Sequence, residues 1–346
     1  FIRFLNMEHK RVGVVGAGSW GTALSILLAN KGYDIDLWVY EQELYTQLNE
    51  TRANSFFLPG HPLPERIRAT LSLEEAVRDQ DVVLIVVPSH VIRNTATQLA
   101  PLIRPDCLLI NASKGIENKS LCTVRQILEQ TLPATCQLGT LSGPTFAVEI
   151  AKGVPSAIVA AAENGEVAKR MQNIFSSSRL KVFTSTDPLG VEVGGALKNV
   201  IAIATGISDG LGMGHNTRAA LITRGLVEIT RIGTALGARP ETFSGLSGVG
   251  DLVLTCTGDL SRNRAVGLHL GQGKTLNQIT EGMKMVAEGV LTVKSTYALK
   301  SKLNIHAAII EETYRVLYEK KSPKQAMDDL MRVSISSEFD GIKGFK

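Results

Sequence analysis

The sequence has little of what staples a fold or binds metal. It contains four cysteines in 346 residues, Cys107, Cys122, Cys136 and Cys256, with no CxxC pair. That excludes a disulfide scaffold and a zinc ribbon, and it suits thiols kept reduced in a cytoplasmic setting. The six histidines, His9, His61, His90, His215, His269 and His306, show no ligand spacing, so no metal site is expected. No uninterrupted apolar run reaches membrane-spanning length, and no integral membrane segment is expected. The opening residues 1–6 are hydrophobic but lack the core and cleavage site of a signal peptide, and Met7 is an alternative start. Neither sign of charge dominates: 37 Lys and Arg stand against 33 Asp and Glu, a formal net charge of +4 without a basic run. Nucleic-acid binding therefore gains no support. Charged residues make up 20% and hydrophobic residues 44%, which excludes a disordered chain.

What is present reads as two domains, the number that the length suggests. Residues 11–186 alternate between strand and helix patterns. Residues 12–15 are a short apolar run, residues 19–30 have helical spacing, and residues 35–39 return to a strand pattern, which makes one βαβ unit. Residues 81–88 are a continuous, β-branched run of the kind found in a buried parallel strand. A helix over residues 89–103 and strands over 107–111, 137–141, 156–161 and 180–184 complete a doubly wound α/β domain, residues 1–187. From Pro188 the strand runs stop, and long Ala, Gly, Leu and Ile segments with helical spacing predict a mainly α-helical domain, residues 188–346. Its apolar helices predict a homodimer.

Gly16-Ala17-Gly18-Ser19-Trp20-Gly21 directly follows the first strand and opens a helix. In that context Gly16 permits a tight turn, Gly18 lets the backbone approach a pyrophosphate, and Gly21 allows helix and strand to pack closely. The helix N-terminus then faces the anion. This is the Rossmann-type signature of a dinucleotide site; the competing reading is a merely structural glycine turn. Glu41 lies just beyond the second strand, where an acid binds the 2′-hydroxyl of NAD, and no Arg adjoins it to neutralise the 2′-phosphate of NADP. It could equally be the first-turn acid of the next helix.

Three charges stand alone in apolar or glycine-rich segments. Lys198 is the single ionisable residue between Val193 and Ser208. Burial of such an amine pulls its pKa towards neutrality and makes it a candidate proton donor and acceptor, unless it snorkels to water. Asp251 is the lone charge between Thr242 and Gly258, either an N-cap or a counter-charge for Lys198. Lys114 follows the strand at 107–111, at the carboxyl edge where open α/β sheets bind ligands. Ser261-Arg262-Asn263-Arg264 adds two guanidinium groups with hydroxyl and amide donors, suited to a phosphate monoester or, more blandly, to an exposed helix start.

Several segments together resemble bacterial NAD(P)-dependent glycerol-3-phosphate dehydrogenase, over about residues 11–331. They are the glycine loop with Thr22 and Ala23, Ala112-Ser113-Lys114-Gly115, Ser142-Gly143-Pro144-Thr145-Phe146-Ala147, residues 194–203, residues 248–257 and Ser261-Arg262-Asn263-Arg264. The resemblance implies interconversion of sn-glycerol 3-phosphate and dihydroxyacetone phosphate in the cytoplasm, supplying phospholipid synthesis. It implies Lys198 as the proton acceptor, with Lys114, Gly143, Thr145, Asp251, Ser261, Arg262 and Asn263 around a phosphorylated three-carbon substrate. On the coenzyme side, beside Gly16, Gly18 and Gly21 of the loop, it implies Ser19, Trp20, Tyr40, Lys114, Ala147, Arg262, Val286 and Glu288. Members that favour NADPH often carry His or Arg where this chain has Tyr40, so NAD or NADP stays open. Two other readings compete: a two-domain hydroxy-acid dehydrogenase with a carboxylate substrate, and a non-catalytic dinucleotide sensor, which has no use for a buried Lys198 beside Asp251.

Overall fold

The computed structural model describes residues 11–281, 287–333 and 337–342. Eight strands, β1 (Arg11–Val15), β2 (Asp34–Trp38), β3 (Ile67–Thr70), β4 (Val82–Ile85), β5 (Leu108–Asn111), β6 (Gln137–Ser142), β7 (Ser156–Ala161) and β8 (Leu180–Ser185), form one sheet in the order 3-2-1-4-5-6-7-8. All neighbours run parallel except β6 and β7. Successive side chains of a strand point to opposite faces, and both faces are covered, so β4 and β1 after Arg11 are apolar on both. Val14 and Leu84 enter the core on one face, and Val15 and Ile85 the core on the other. The strand order reverses between β1 and β4, which opens a crevice at the carboxyl ends of the strands.

Two details depart from the pattern read in the sequence. The short edge strand β3 was not expected, because Arg68 interrupts its apolar residues; Arg68 turns out to pair with Asp36 on β2, at 2.7 Å. The helix expected over residues 89–103 begins as a 3₁₀ turn, Ser89–Val91, and continues as the shorter α-helix Ile92–Leu99. It stops just before Pro101, which has no N–H to continue the ladder.

The helical half begins at Pro188. Asp187 caps the helix Pro188–Gly210, accepting from the N–H of Gly190 at 3.0 Å, and proline occupies the first turn, where its missing N–H costs nothing. This helix is long and apolar enough to cross a membrane, yet its apolar stretch is wholly buried inside the protein. The helices Gly214–Ala235, Asp251–Thr257, Arg262–Gly271, Glu288–Lys302 and Ala308–Tyr318 surround it. It crosses Arg262–Gly271 backbone to backbone: a Cβ on Gly206 would stand 2.1 Å from the carbonyl oxygen of Arg264. The central helix thus delivers Lys198 to the crevice edge of the sheet.

Candidate active site

The glycine loop leaves β1 and enters the helix Ser19–Asn30. Gly16 has a φ of +116°, open to glycine, and a Cβ there would meet the carbonyl oxygen of Val86 at 2.5 Å. At Gly18 the situation is opposite: a Cβ would project into open space, with nothing within 4 Å. That gap, in front of a helix N-terminus whose cap residue donates no side chain, fits a pyrophosphate. A second loop clamps the turn. Asn54, fully buried, donates from Nδ2 to the carbonyl of Ala17 at 2.8 Å, and Ser19 Oγ donates to the carbonyl of Phe57 at 2.5 Å.

A cleft of about 670 Å³ runs from this loop to the helical half, within the usual size for a small-molecule site. Trp38, Tyr40 and Glu41 line it at the β2 end, and Lys114, Lys198, Asp251, Thr255, Arg262 and Glu288 line it where the sheet meets the helices. Trp20, Thr145 and Ala147 also line it. Tyr40 is 78% exposed and packs edge to face on Trp38, with ring centres 6.0 Å apart.

The three isolated charges meet. Asp251 is 2% exposed; its Oδ1 lies 2.9 Å from Lys198 Nζ and its Oδ2 lies 2.6 Å from Lys114 Nζ. The N-cap reading of Asp251 is corrected here: Gly250 holds the cap position, and the Asp251 carboxylate turns to the two amines. The snorkelling reading of Lys198 also falls, since the residue is only 6% exposed. Burial pushes the Lys198 ammonium down to about 8, with Asp251 opposing the shift and the neighbouring Lys114 charge adding to it. One carboxylate therefore serves two ammonium groups. Lys198 Nζ also donates to Thr255 Oγ1 at 2.6 Å, and that hydroxyl donates to the carbonyl of Asp251, also at 2.6 Å. Thr255, like the buried cleft residue Asn199, carries no charge and escaped the sequence reading. Its spacing of four residues from Asp251 on one helix face was the available signal.

The Ser261-Arg262-Asn263-Arg264 segment divides by function. Ser261 caps its helix, accepting from the N–H of Arg264 at 3.2 Å. Asn263 Oδ1 accepts from the N–H of Gly289 at 3.0 Å. Arg262 is exposed at the cleft and has no ion pair among the described residues. Arg264 is removed from the expected pair of phosphate ligands: Asp209 holds it at 2.8 Å and Asp259 at 3.1 Å. Gly143 does not line the cleft; its carbonyl lies 3.5 Å from Lys114 Nζ and accepts from Thr145 Oγ1 at 3.2 Å. Burial pushes the Glu288 carboxyl up to about 7, against the pull of Arg262, Lys114 and Lys198. Val286 lies outside the described residues. Among the described residues, no group of three or more His, Cys, Asp or Glu side chains could hold a metal ion.

Comparison with known proteins points in one direction. The family model described as NAD-dependent glycerol-3-phosphate dehydrogenase N-terminus matches residues 11–168, and its C-terminus counterpart matches residues 187–328. A protein of Geobacter sulfurreducens named glycerol-3-phosphate dehydrogenase [NAD(P)+] is 53% identical over 332 residues, covering 95% of this chain and 99% of its own. The crystal structure of glycerol-3-phosphate dehydrogenase from Coxiella burnetii superposes with a TM-score of 0.91 at 36% identity, covering 93% of this chain and 99% of that one. A yeast glycerol-3-phosphate dehydrogenase structure gives a TM-score of 0.79 at 28% identity, over 92% and 98% of the two chains.

Proposed function

The chain belongs to the NAD-dependent glycerol-3-phosphate dehydrogenase family, and from that premise we propose that Lys198 is the proton donor and acceptor of its reaction. The enzyme interconverts sn-glycerol 3-phosphate and dihydroxyacetone phosphate with NAD(P)(H). The observation that carries the residue assignment is the cluster of buried Lys198 and Asp251 with half-buried Lys114 at the cleft, beside Arg262, which has no ion pair among the described residues.

Bound coenzyme supplies hydride to the C2 carbon in reduction and accepts it in oxidation. The ammonium of Lys198 polarises the C2 carbonyl and donates a proton to its oxygen; in the other direction neutral Lys198 takes the hydroxyl proton. Asp251 fixes the position of Lys198 Nζ, and Thr255 takes up one of its hydrogens, which leaves the remaining valence to face the substrate. Lys114 holds substrate oxygens. Arg262, the Ser261 hydroxyl and Asn263 Nδ2 anchor the phosphate by charge-assisted hydrogen bonds, and that binding energy orients the reacting carbon. The Gly16 to Gly21 loop holds the coenzyme pyrophosphate. The four free thiols, two of them buried, support work in a reducing cytoplasm, where the product serves phospholipid synthesis.

The charge around the cleft supports NADH as the preferred coenzyme. The Lys and Arg side chains lining the cleft, Lys114, Lys198 and Arg262, belong to the substrate cluster, whereas Glu41 lines the β2 end. Among the described residues that line this end, a 2′-phosphate meets a like charge and no Lys or Arg. Following NADH and NADPH oxidation separately with dihydroxyacetone phosphate is expected to show NADH favoured by roughly tenfold or more in kcat/KM, about 1.4 kcal/mol per tenfold. Glu41→Arg should shift the ratio towards NADPH. Equal or better use of NADPH by the wild type contradicts the coenzyme assignment, and no oxidation of either contradicts the substrate.

Arg262→Ala is expected to raise the KM for dihydroxyacetone phosphate by roughly tenfold to a hundredfold, the loss of about 1.5–3 kcal/mol for hydrogen bonds to a charged group. Steady-state kinetics with KM unchanged for both substrate and coenzyme would remove Arg262 from the site.

A further inference from the structure

Lys114 and Lys198 come from different halves of the molecule, the first from the turn after β5 and the second from the central helix. Asp251 joins the two amines directly. A second carboxylate joins the scaffolds behind them. Glu192 lies on the central helix, 7% exposed, and faces the sheet. Its Oε1 accepts from Asn111 Nδ2 at 2.8 Å and from Thr140 Oγ1 at 3.0 Å, and its Oε2 accepts from the N–H of Arg125 at 3.0 Å. Arg125 lies in the first turn of the helix Val124–Thr131, so the carboxylate faces the positive end of that helix. Among the described residues Glu192 has no ion pair; the guanidinium of Arg125 goes instead to Glu129 and Glu163. Burial pushes its carboxyl up, against these hydrogen bonds and one from the Thr123 side chain.

Asn111 is held from both ends. While its Nδ2 donates to Glu192, its Oδ1 accepts from the N–H of Ser113 at 2.8 Å. Ser113 Oγ in turn donates to the carbonyl of Val87 at 2.6 Å. The next residue is Lys114, whose ammonium reaches Asp251. We propose that Glu192 is a positioning residue: through Asn111 it sets the turn at Ser113, and with it the Lys114 ammonium, against the helix that carries Lys198. The proposal rests on the roles given above to Lys114 and Lys198.

Glutamine at this position cannot reproduce the arrangement, because Asn111 Nδ2, Thr140 Oγ1 and the N–H of Arg125 all donate to the carboxylate and an amide offers one oxygen. If that oxygen stays on Asn111 and Thr140, the amide NH₂ opposes the N–H of Arg125. If it turns to Arg125, the NH₂ meets Asn111 Nδ2, and a flip of Asn111 to relieve that contact sets its own NH₂ against the N–H of Ser113. The amine of Lys114 then loses its fixed place, and misplacement by about 1 Å can cost up to about a hundredfold in rate.

The test is a double-mutant cycle on the full chain. Glu192→Gln is expected to lower kcat/KM for dihydroxyacetone phosphate by about tenfold to a hundredfold, with NADH affinity by fluorescence titration within about twofold of wild type. In a Lys114→Ala background the same substitution should cost less than about twofold, because the group it positions is gone. A merely structural Glu192 gives the same fold loss in both backgrounds, and that result overturns the proposal, as does an unchanged kcat/KM in Glu192→Gln. If Glu192→Gln does not fold, Asn111→Ala carries the same cycle with the same outcomes. Lys114→Ala as active as wild type overturns the earlier assignment of Lys114 itself, a result distinct from additivity in the cycle.

Discussion

Lys198→Met is expected to fold, to bind NADH as tightly as the wild type, and to turn over about 10²- to 10⁴-fold more slowly, the usual worth of a positioned acid and base. The methionine side chain is close in length and carries no charge. Asp251 keeps Lys114 as a partner at 2.6 Å, so removal of Lys198 orphans no carboxylate. Thermal stability should be unchanged or slightly higher, because a buried ammonium costs desolvation free energy that a thioether does not. Turnover by coupled absorbance, coenzyme titration by fluorescence and a thermal melt give the three readings. A variant within about tenfold of wild-type kcat removes Lys198 from the proton transfer.

Asp251→Asn has the second large effect, and it acts on both stability and rate. Two buried or half-buried ammonium groups depend on one carboxylate. Removing one member of such a cluster leaves uncompensated charge, a cost on the order of 3–5 kcal/mol. Asp251 is also the main influence that holds the Lys198 pKa up against burial. Without it the amine deprotonates more readily, so at neutral pH less of the enzyme carries the proton that reduction requires. The expected result is a melting temperature lowered by several degrees and a kcat for reduction lowered by about a hundredfold or more. The pH at which reduction falls off should move lower. A variant with wild-type stability and an unmoved pH profile would show that Asp251 does not control Lys198.

The local pattern of charge explains how much of this site was legible in the sequence. Lys114, Lys198 and Asp251 each sit alone in apolar or glycine-rich segments, and isolation in such segments implies burial; that both amines converge within 3 Å of the Asp251 carboxylate needed the fold. The glycine loop was legible because its demands are local, a positive φ at Gly16 and open space at Gly18. Which arginine of the Ser261 to Arg264 segment faces the cleft was not local. It is decided by Asp209 and Asp259, which take Arg264 away. Thr255 is neutral and Glu192 stands just before the charge-poor run from Val193 to Ser208, so neither stands out as a lone charge. The partners of Glu192, at Asn111, Arg125 and Thr140, are distant in sequence and meet it only across the junction of sheet and helices.

The most direct measurement is the pH dependence of kcat/KM in both directions, from about pH 6 to about 10, with coenzyme saturating. The Lys198 ammonium, depressed to about 8, is protonated below that pH and neutral above it. Reduction of dihydroxyacetone phosphate needs the protonated form and should fall as pH rises through about 8. Oxidation of glycerol 3-phosphate needs the neutral form and should rise through the same pH. Opposite profiles sharing one inflection are the predicted result; flat profiles, or two that rise together, contradict Lys198 as the proton donor and acceptor.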